Sequence, residues 1–213
     1  MTPGRGATPA FDAVVLAGGT ARRLGGASKP DVVLGGRRLL EHALDAAAGA
    51  RRTVVVAPPE VAVPPGVLRT LEDPPHGGPV AGIAAGLAAL DAAATSGSPA
   101  ADGAGPAPWL LVLACDVPYA ADAVPRLLAA AVTGDGACLV DGDGHAQWLT
   151  GVYRTAALRE RLGALPDAGR GASVHRCVGP LATARVRAAG REAVDVDSWA
   201  DLDALGADGA PLP

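Results

Sequence analysis

Asp12–Lys29 reads DAVVLAGGTARRLGGASK, and the change of chemistry inside it decides the fold. Asp12–Ala17 is a short apolar run closed by Gly18-Gly19, the signature of a strand buried on both faces of a parallel sheet. Two arginines, two more glycines and Lys29 follow. Glycines let successive backbone N–H groups turn inward and form an anion-binding nest. Arg22, Arg23 and Lys29 add full charges to the same place. The spacing is neither a P-loop nor G-x-G-x-x-G, because Lys29 follows Ala-Ser and no Ser or Thr comes after it. On residue types alone, a solvated loop with incidental arginines is the alternative.

Outward from that turn, strand and helix patterns alternate. Arg38–Ala48 has helical spacing of Leu39, Leu40, Ala43, Leu44 and Ala47, and Gly49 stops it. Thr53–Ala57 is a second buried strand and Val67–Leu71 a short third. Pro79 opens an Ala-rich helix to about Ala94. Trp109–Ala114 (WLLVLA) is the most apolar strand and belongs mid-sheet. Helix Ala121–Val132, strand Ala137–Val140, a DGDG turn at Asp141–Gly144 and strand Gln147–Tyr153 follow. Helices Thr155–Leu162 and Ser173–Cys177, strands Ala182–Arg187 and Ala193–Val196, and a helix from Ser198 complete the pattern. Such alternation predicts an α/β fold, a single three-layer, Rossmann-like domain with a mostly parallel sheet over residues 12–205. Residues 1–11 and 206–213 read as tails, and Thr95–Pro108 as a low-complexity, exposed insertion.

Composition sets limits on function. A formal charge of −4 argues against a broad nucleic-acid footprint. The longest uncharged stretch, 77–90, is too short to span a bilayer, and the N-terminus has no apolar signal core, so a cytoplasmic location is expected. Cys115, Cys138 and Cys177 lack metal-ligand spacing and read as reduced packing residues. Of the 18 basic residues only Lys29 is lysine, and the chain has no Asn and one Ile, Ile83. A coding bias of that kind replaces Lys by Arg where a solvated charge suffices. It spares a compact ammonium that must approach phosphate as a point charge in a confined site.

Three further segments carry chemistry. ACDVPY, Ala114–Tyr119, puts Asp116 at the carboxyl end of the most apolar strand, where open α/β sheets form their ligand crevice and where a carboxylate suits Mg²⁺. As a bare residue it reads equally as a turn or cap. In EDPPHGGPVAGIAAGL, Glu72–Leu87, small residues open a helix against which a flat base could lie, although tight helix–sheet packing needs the same residues. In VDVDSWADL, Val194–Leu202, Asp195 and Asp197 offer oxygen ligands, while Ser198 with Asp201 forms a capping box. Asp141-Gly-Asp143-Gly reads as a hairpin turn and not a calcium loop. The histidines are scattered, with His76 beside Gly77 the one placed to line a pocket. Trp148 and Trp199 read as packing residues.

L-A-G-G-x-x-x-R-x-G-x-x-x-K after an opening strand resembles the signature loop of the nucleotidyltransferases that include molybdenum cofactor guanylyltransferase. Leu16, Gly18, Gly19, Arg23, Gly25 and Lys29 hold the signature positions. The resemblance implies a nucleotide site of Leu16, Ala17, Gly18, Gly19, Lys29, Asp73, Gly78 and Asp116, with Lys29, Arg23 and Asp116 catalytic. It also implies Mg²⁺ on Asp116, with Asp197 standing where relatives place an N-x-N-T metal contact. The expected reaction transfers GMP from GTP to molybdopterin or another phosphorylated acceptor, releasing pyrophosphate. Its rivals are a cytidylyltransferase for the same cofactor, a guanylyltransferase for a small phosphorylated acid, and a nucleotide-binding module without turnover. Two departures stand out: Ala57-Pro58 replaces an Asn that contacts the base, and Gln147-Trp148-Leu149 replaces H-P-T on the acceptor side.

Overall fold

The computed structural model describes residues 8–18, 28–95 and 105–207. Most of the two tails, most of the Thr95–Pro108 segment, and Gly19, Arg22, Arg23 and Gly25 lie outside these described residues. In chain order the elements are β1 (Phe11–Leu16), β2 (Val33–Leu34), β3 (Arg37–Arg38), α1 (Leu39–Ala46), β4 (Thr53–Val56), β5 (Leu68–Thr70), α2 (Pro79–Thr95) and β6 (Trp109–Ala114). They continue with α3 (Val124–Ala131), β7 (Gly136–Val140), β8 (Ala146–Arg154), α4 (Thr155–Gly163), α5 (Val174–Val178), β9 (Ala184–Arg187) and α6 (Trp199–Ala207).

Seven strands form one sheet in the order β5-β4-β1-β6-β8-β7-β9, and β2-β3 make a small separate ribbon. β1 pairs parallel with β4 and β6, β4 with β5, and β7 with β9; only β8 runs against its neighbours. The sheet is thus mostly parallel, and its central strands are apolar on both faces. In β1, Phe11, Ala13 and Val15 join Leu40, Ala43 and Leu127 in one core, while Val14 joins Val80, Ile83 and Leu87 in the other. β6 divides likewise, with Trp109, Leu111 and Leu113 facing one core and Leu110 and Val112 the other. The continuous apolar runs read from the sequence are the consequence of helices covering both faces.

α2 lies close against the sheet because two glycines leave room. A Cβ on Gly86 would stand 2.8 Å from both γ-carbons of Val14, and one on Gly82 3.0 Å from Leu16 Cδ2. Gly86→Ala gains roughly 1 kcal/mol of helix propensity, but overpacking a well-filled core costs about 1–3 kcal/mol. A net loss of stability is expected, read as a lower denaturant midpoint at unchanged slope. Gly163→Ala, where a Cβ meets nothing within 4 Å, is expected to hold or raise the midpoint.

The elements differ from the sequence reading in four places. The helix expected over Ala121–Val132 is a 3-10 turn, Ala120–Ala123, followed by α3, because Pro125 suits only the first turn of a helix. Ala193–Val196 is not a strand: Val196 is fully buried beside Val32, Leu34 and Leu39, but the segment crosses the end of β6 without a ladder partner. The β2-β3 ribbon was not legible in its short VLGGRR run. Gly105–Pro108 is fixed to the body, with buried Ala107 donating its N–H to Asp12 Oδ2 at 2.8 Å and accepting from Thr155 Oγ1 at 2.8 Å.

Candidate active site

β1, β4 and β6 end level with one another, since Leu16 is in register with Val56 and Ala114. The ladder continues one step beyond: Ala17 N–H donates to Val56 O at 2.9 Å, and Cys115 N–H donates to Leu16 O at 3.0 Å. From β1 the chain goes to β4 on one side and later returns to β6 on the other. The order thus reverses between β1 and β6, a topological switch point at whose carboxyl end doubly wound sheets leave a crevice. A cavity of about 660 Å³ opens there. Leu16, Gly18 and Val56 line one part of it, Ala114, Cys115 and Asp116 another, and Gly78, Pro79 and Gly82 of the α2 entry a third.

Lys29 enters this cavity from a short 3-10 turn, Lys29–Asp31. Asp31 braces the turn, accepting from Ser28 Oγ at 2.5 Å and from Arg38 Nη1 at 3.1 Å. The Lys29 ammonium donates to Asp116 Oδ2 at 2.7 Å and to Asp197 Oδ1 at 2.5 Å. Burial alone would lower its pKa, but the hydrogen bonds and charges of Asp116 and Asp197 outweigh it and hold the pKa above the usual lysine range. Lys29 is therefore a full cation at neutral pH. A second tie locks the aspartates together, because Val196 N–H donates to Asp116 O at 2.8 Å and so brings Asp197 alongside.

The capping question at Asp195–Asp201 resolves by residue. Ser198 N–H donates to Asp201 Oδ2 at 2.7 Å and Asp201 N–H to Ser198 Oγ at 3.2 Å, which closes the capping box of α6. Asp197 is left to face Lys29. Asp195 is held above the usual carboxylate range, by desolvation first and then by the neighbouring charges of Asp197 and Asp116. Two carboxylates bonded to one cation are hard oxygen donors converging on a single point, a donor set that fits a divalent cation.

Of the other expected site residues, Leu16, Gly18 and Gly78 line the cavity, Gly78 with φ 86° at the entry to α2. Ala17 does not: its side chain is buried in the core and its N–H is spent on Val56. Asp73 is exposed and does not line the cavity either; the carbonyls of Pro74 and Pro75, which follow it, accept from Arg170. Its neighbour Glu72 lines the cavity instead, as do His76 and Leu149. Glu72 had one signal in the sequence, its place beside Asp73 at the end of a short strand. Leu149 comes from a bulge in β8, where the β7 register jumps from Cys138–Gly151 to Leu139–Gln147. Trp148 packs against the α2-side core, with the Arg185 guanidinium 4.3 Å from its ring.

Cys115 is buried, and desolvation pushes its thiol up to about 12, so it is protonated and unreactive at neutral pH. All three cysteines are buried and free. Asp141, Asp143 and His145 cluster at the β7–β8 turn, where Asp141 Oδ1 accepts the N–H groups of Asp143 and His145 as a turn requires; none of them lines the cavity. No helix among the described residues is long and apolar enough to cross a membrane.

Residues 13–185 match the family described as the MobA-like NTP transferase domain. The chain belongs to this family. As a MobA-like nucleotidyltransferase, it is 31% identical over 170 residues to the molybdenum cofactor guanylyltransferase of Shewanella loihica, covering 76% of this chain and 78% of that one. Among solved structures it is similar to the molybdopterin-guanine dinucleotide biosynthesis protein A of Archaeoglobus fulgidus, with 18% identity, a TM-score of 0.63, and 92% and 97% of the two chains covered. It is similar also to the 2-C-methyl-D-erythritol 4-phosphate cytidylyltransferase of Thermus thermophilus, with 21% identity, a TM-score of 0.60, and 92% and 97% covered. Proteins named for guanylyl and for cytidylyl transfer thus share this fold, so the fold by itself does not fix the base.

Proposed function

We propose that this MobA-like transferase moves GMP from GTP onto the terminal phosphate of molybdopterin and releases pyrophosphate. The observation that supports it best is the meeting of Lys29 and Asp116, 2.7 Å apart at the mouth of the strand-end cavity. A phosphate oxygen of the acceptor attacks the α-phosphorus in line, a P–O bond forms to it, and the bond to the β-phosphate oxygen breaks. Phosphate is already a nucleophile at neutral pH, so no general base is needed. The work left to the protein is alignment and charge neutralisation.

Lys29 would turn its ammonium to the triphosphate and the departing pyrophosphate. Arg23 and the Gly18-Gly19 backbone would hold the same oxygens. Asp116 and Asp197 would hold a divalent cation, read here as Mg²⁺, which when bound supplies charge neutralisation on the phosphate oxygens. The acceptor would approach from the Leu149 side, where this chain has Gln147-Trp148-Leu149. Pyrophosphate release measured with molybdopterin and each of GTP, CTP, ATP and UTP tests the reading. GTP is expected to be turned over at least tenfold faster than the others. Preferential turnover of CTP would reassign the donor, and GTP binding without pyrophosphate release would favour a non-catalytic module.

A further inference from the structure

We infer that Glu72 reads the guanine base, accepting hydrogen bonds from its N1–H and N2–H₂ groups, and so selects the donor nucleotide. This deepens the guanylyl reading and rests on it. Ala57-Pro58 leaves the end of β4 without a side chain able to hydrogen-bond a base, and among the described residues Glu72 is the one carboxylate lining that side of the cavity.

Its placement suits the task. Glu72 follows β5, and in the order β5-β4-β1-β6 that strand lies three spacings, about 14 Å, from the strand that carries Asp116. A nucleotide whose phosphates meet Lys29 and Asp116 would extend its base along the cavity toward Glu72. The walls on the way, Val56, Pro79 and Gly82, are small or apolar and admit a flat ring. Glu72 Oε1 accepts the Gly77 N–H at 3.2 Å, which ties the carboxylate to the loop before α2. No hydrogen bond to its Oε2 occurs among the described residues.

An ionised carboxylate only accepts, and it offers two oxygens side by side. Guanine presents two adjacent N–H donors on its pairing edge. Cytosine and adenine each present one amino group beside a ring-nitrogen acceptor, which the carboxylate repels. A carboxylate in this place therefore favours guanine on both hydrogen bonding and charge, and it stands far enough from the phosphates to escape their repulsion.

The test is calorimetric binding of GTP, ITP and CTP to the full chain with Mg²⁺, for wild type and Glu72→Gln. ITP keeps N1–H and lacks the 2-amino group. Gln can still accept from Gly77 N–H, so the loop has its brace, and a thermal melt checks the fold. Wild type is expected to bind GTP about tenfold more tightly than ITP, and Glu72→Gln to lose roughly ten- to a hundredfold in GTP affinity with the GTP-to-ITP ratio falling toward one. Equal wild-type binding of GTP and ITP, or an unchanged ratio in Glu72→Gln, overturns the role of Glu72 and leaves the guanylyl reading standing. Preference of the wild type for CTP, or absence of GTP binding, overturns both.

Discussion

Lys29→Ala is expected to lower kcat by roughly 10²–10³, the usual cost of losing one preorganised electrostatic contact to developing charge. Lys29 is a sensitive point because no second ammonium can take its place. It is the one lysine of the chain, and its nitrogen already sits 2.7 Å from Asp116 and 2.5 Å from Asp197. Lys29→Arg is expected to recover only part of the rate, since a planar guanidinium cannot occupy the point between two carboxylates that a compact ammonium fills. Single-turnover pyrophosphate release separates this loss from weaker nucleotide binding. A melting temperature near that of wild type is needed alongside, because the variant leaves two half-exposed carboxylates facing each other. Wild-type turnover by Lys29→Ala would remove the basis of the proposed mechanism.

Asp116→Asn is expected to cost a similar factor, about 10²–10³ in kcat/KM, but with a different signature. The amide keeps an oxygen within reach of Lys29, so the fold at the end of β6 should persist, while the charge that would hold the divalent cation is gone. Raising the Mg²⁺ concentration should therefore rescue part of the Asp116→Asn activity and none of that lost in Lys29→Ala. Asp197→Asn is expected to fall between Asp116→Asn and wild type, since Asp197 is the more exposed of the two carboxylates and the capping box of α6 depends on Ser198 and Asp201. Equal activity of Asp116→Asn and wild type across a Mg²⁺ titration would remove Asp116 from the cation site.

The contrast between Glu72 and Asp73 shows why part of the site was not legible in the sequence. Both are carboxylates in one EDPP run, and resemblance favoured the second. Which of two adjacent side chains faces a cavity depends on how the strand before them ends, and β5 stops at Thr70. Of Gln147-Trp148-Leu149, that Leu149 is the residue lining the cavity was hidden for a related reason, because a bulge in β8 shifts the register that a simple alternation would assign. Ala17 went the other way. It stands inside the signature loop, yet the ladder extends one residue past β1 and takes its N–H.

The sequence alone determined the layered α/β fold and singled out Lys29 and Asp116, which the structure brings within 2.7 Å of each other. Those signals are local: apolar runs long enough to be buried on both faces, and one ammonium kept where every other cation is a guanidinium. What only the tertiary structure decided is which distant residues share a point. Lys29 and Asp197 are 168 positions apart, and nothing in either segment specifies the other. Their meeting follows from Val196 N–H bonding to Asp116 O, a contact that exists only once the chain has crossed the open ends of the sheet.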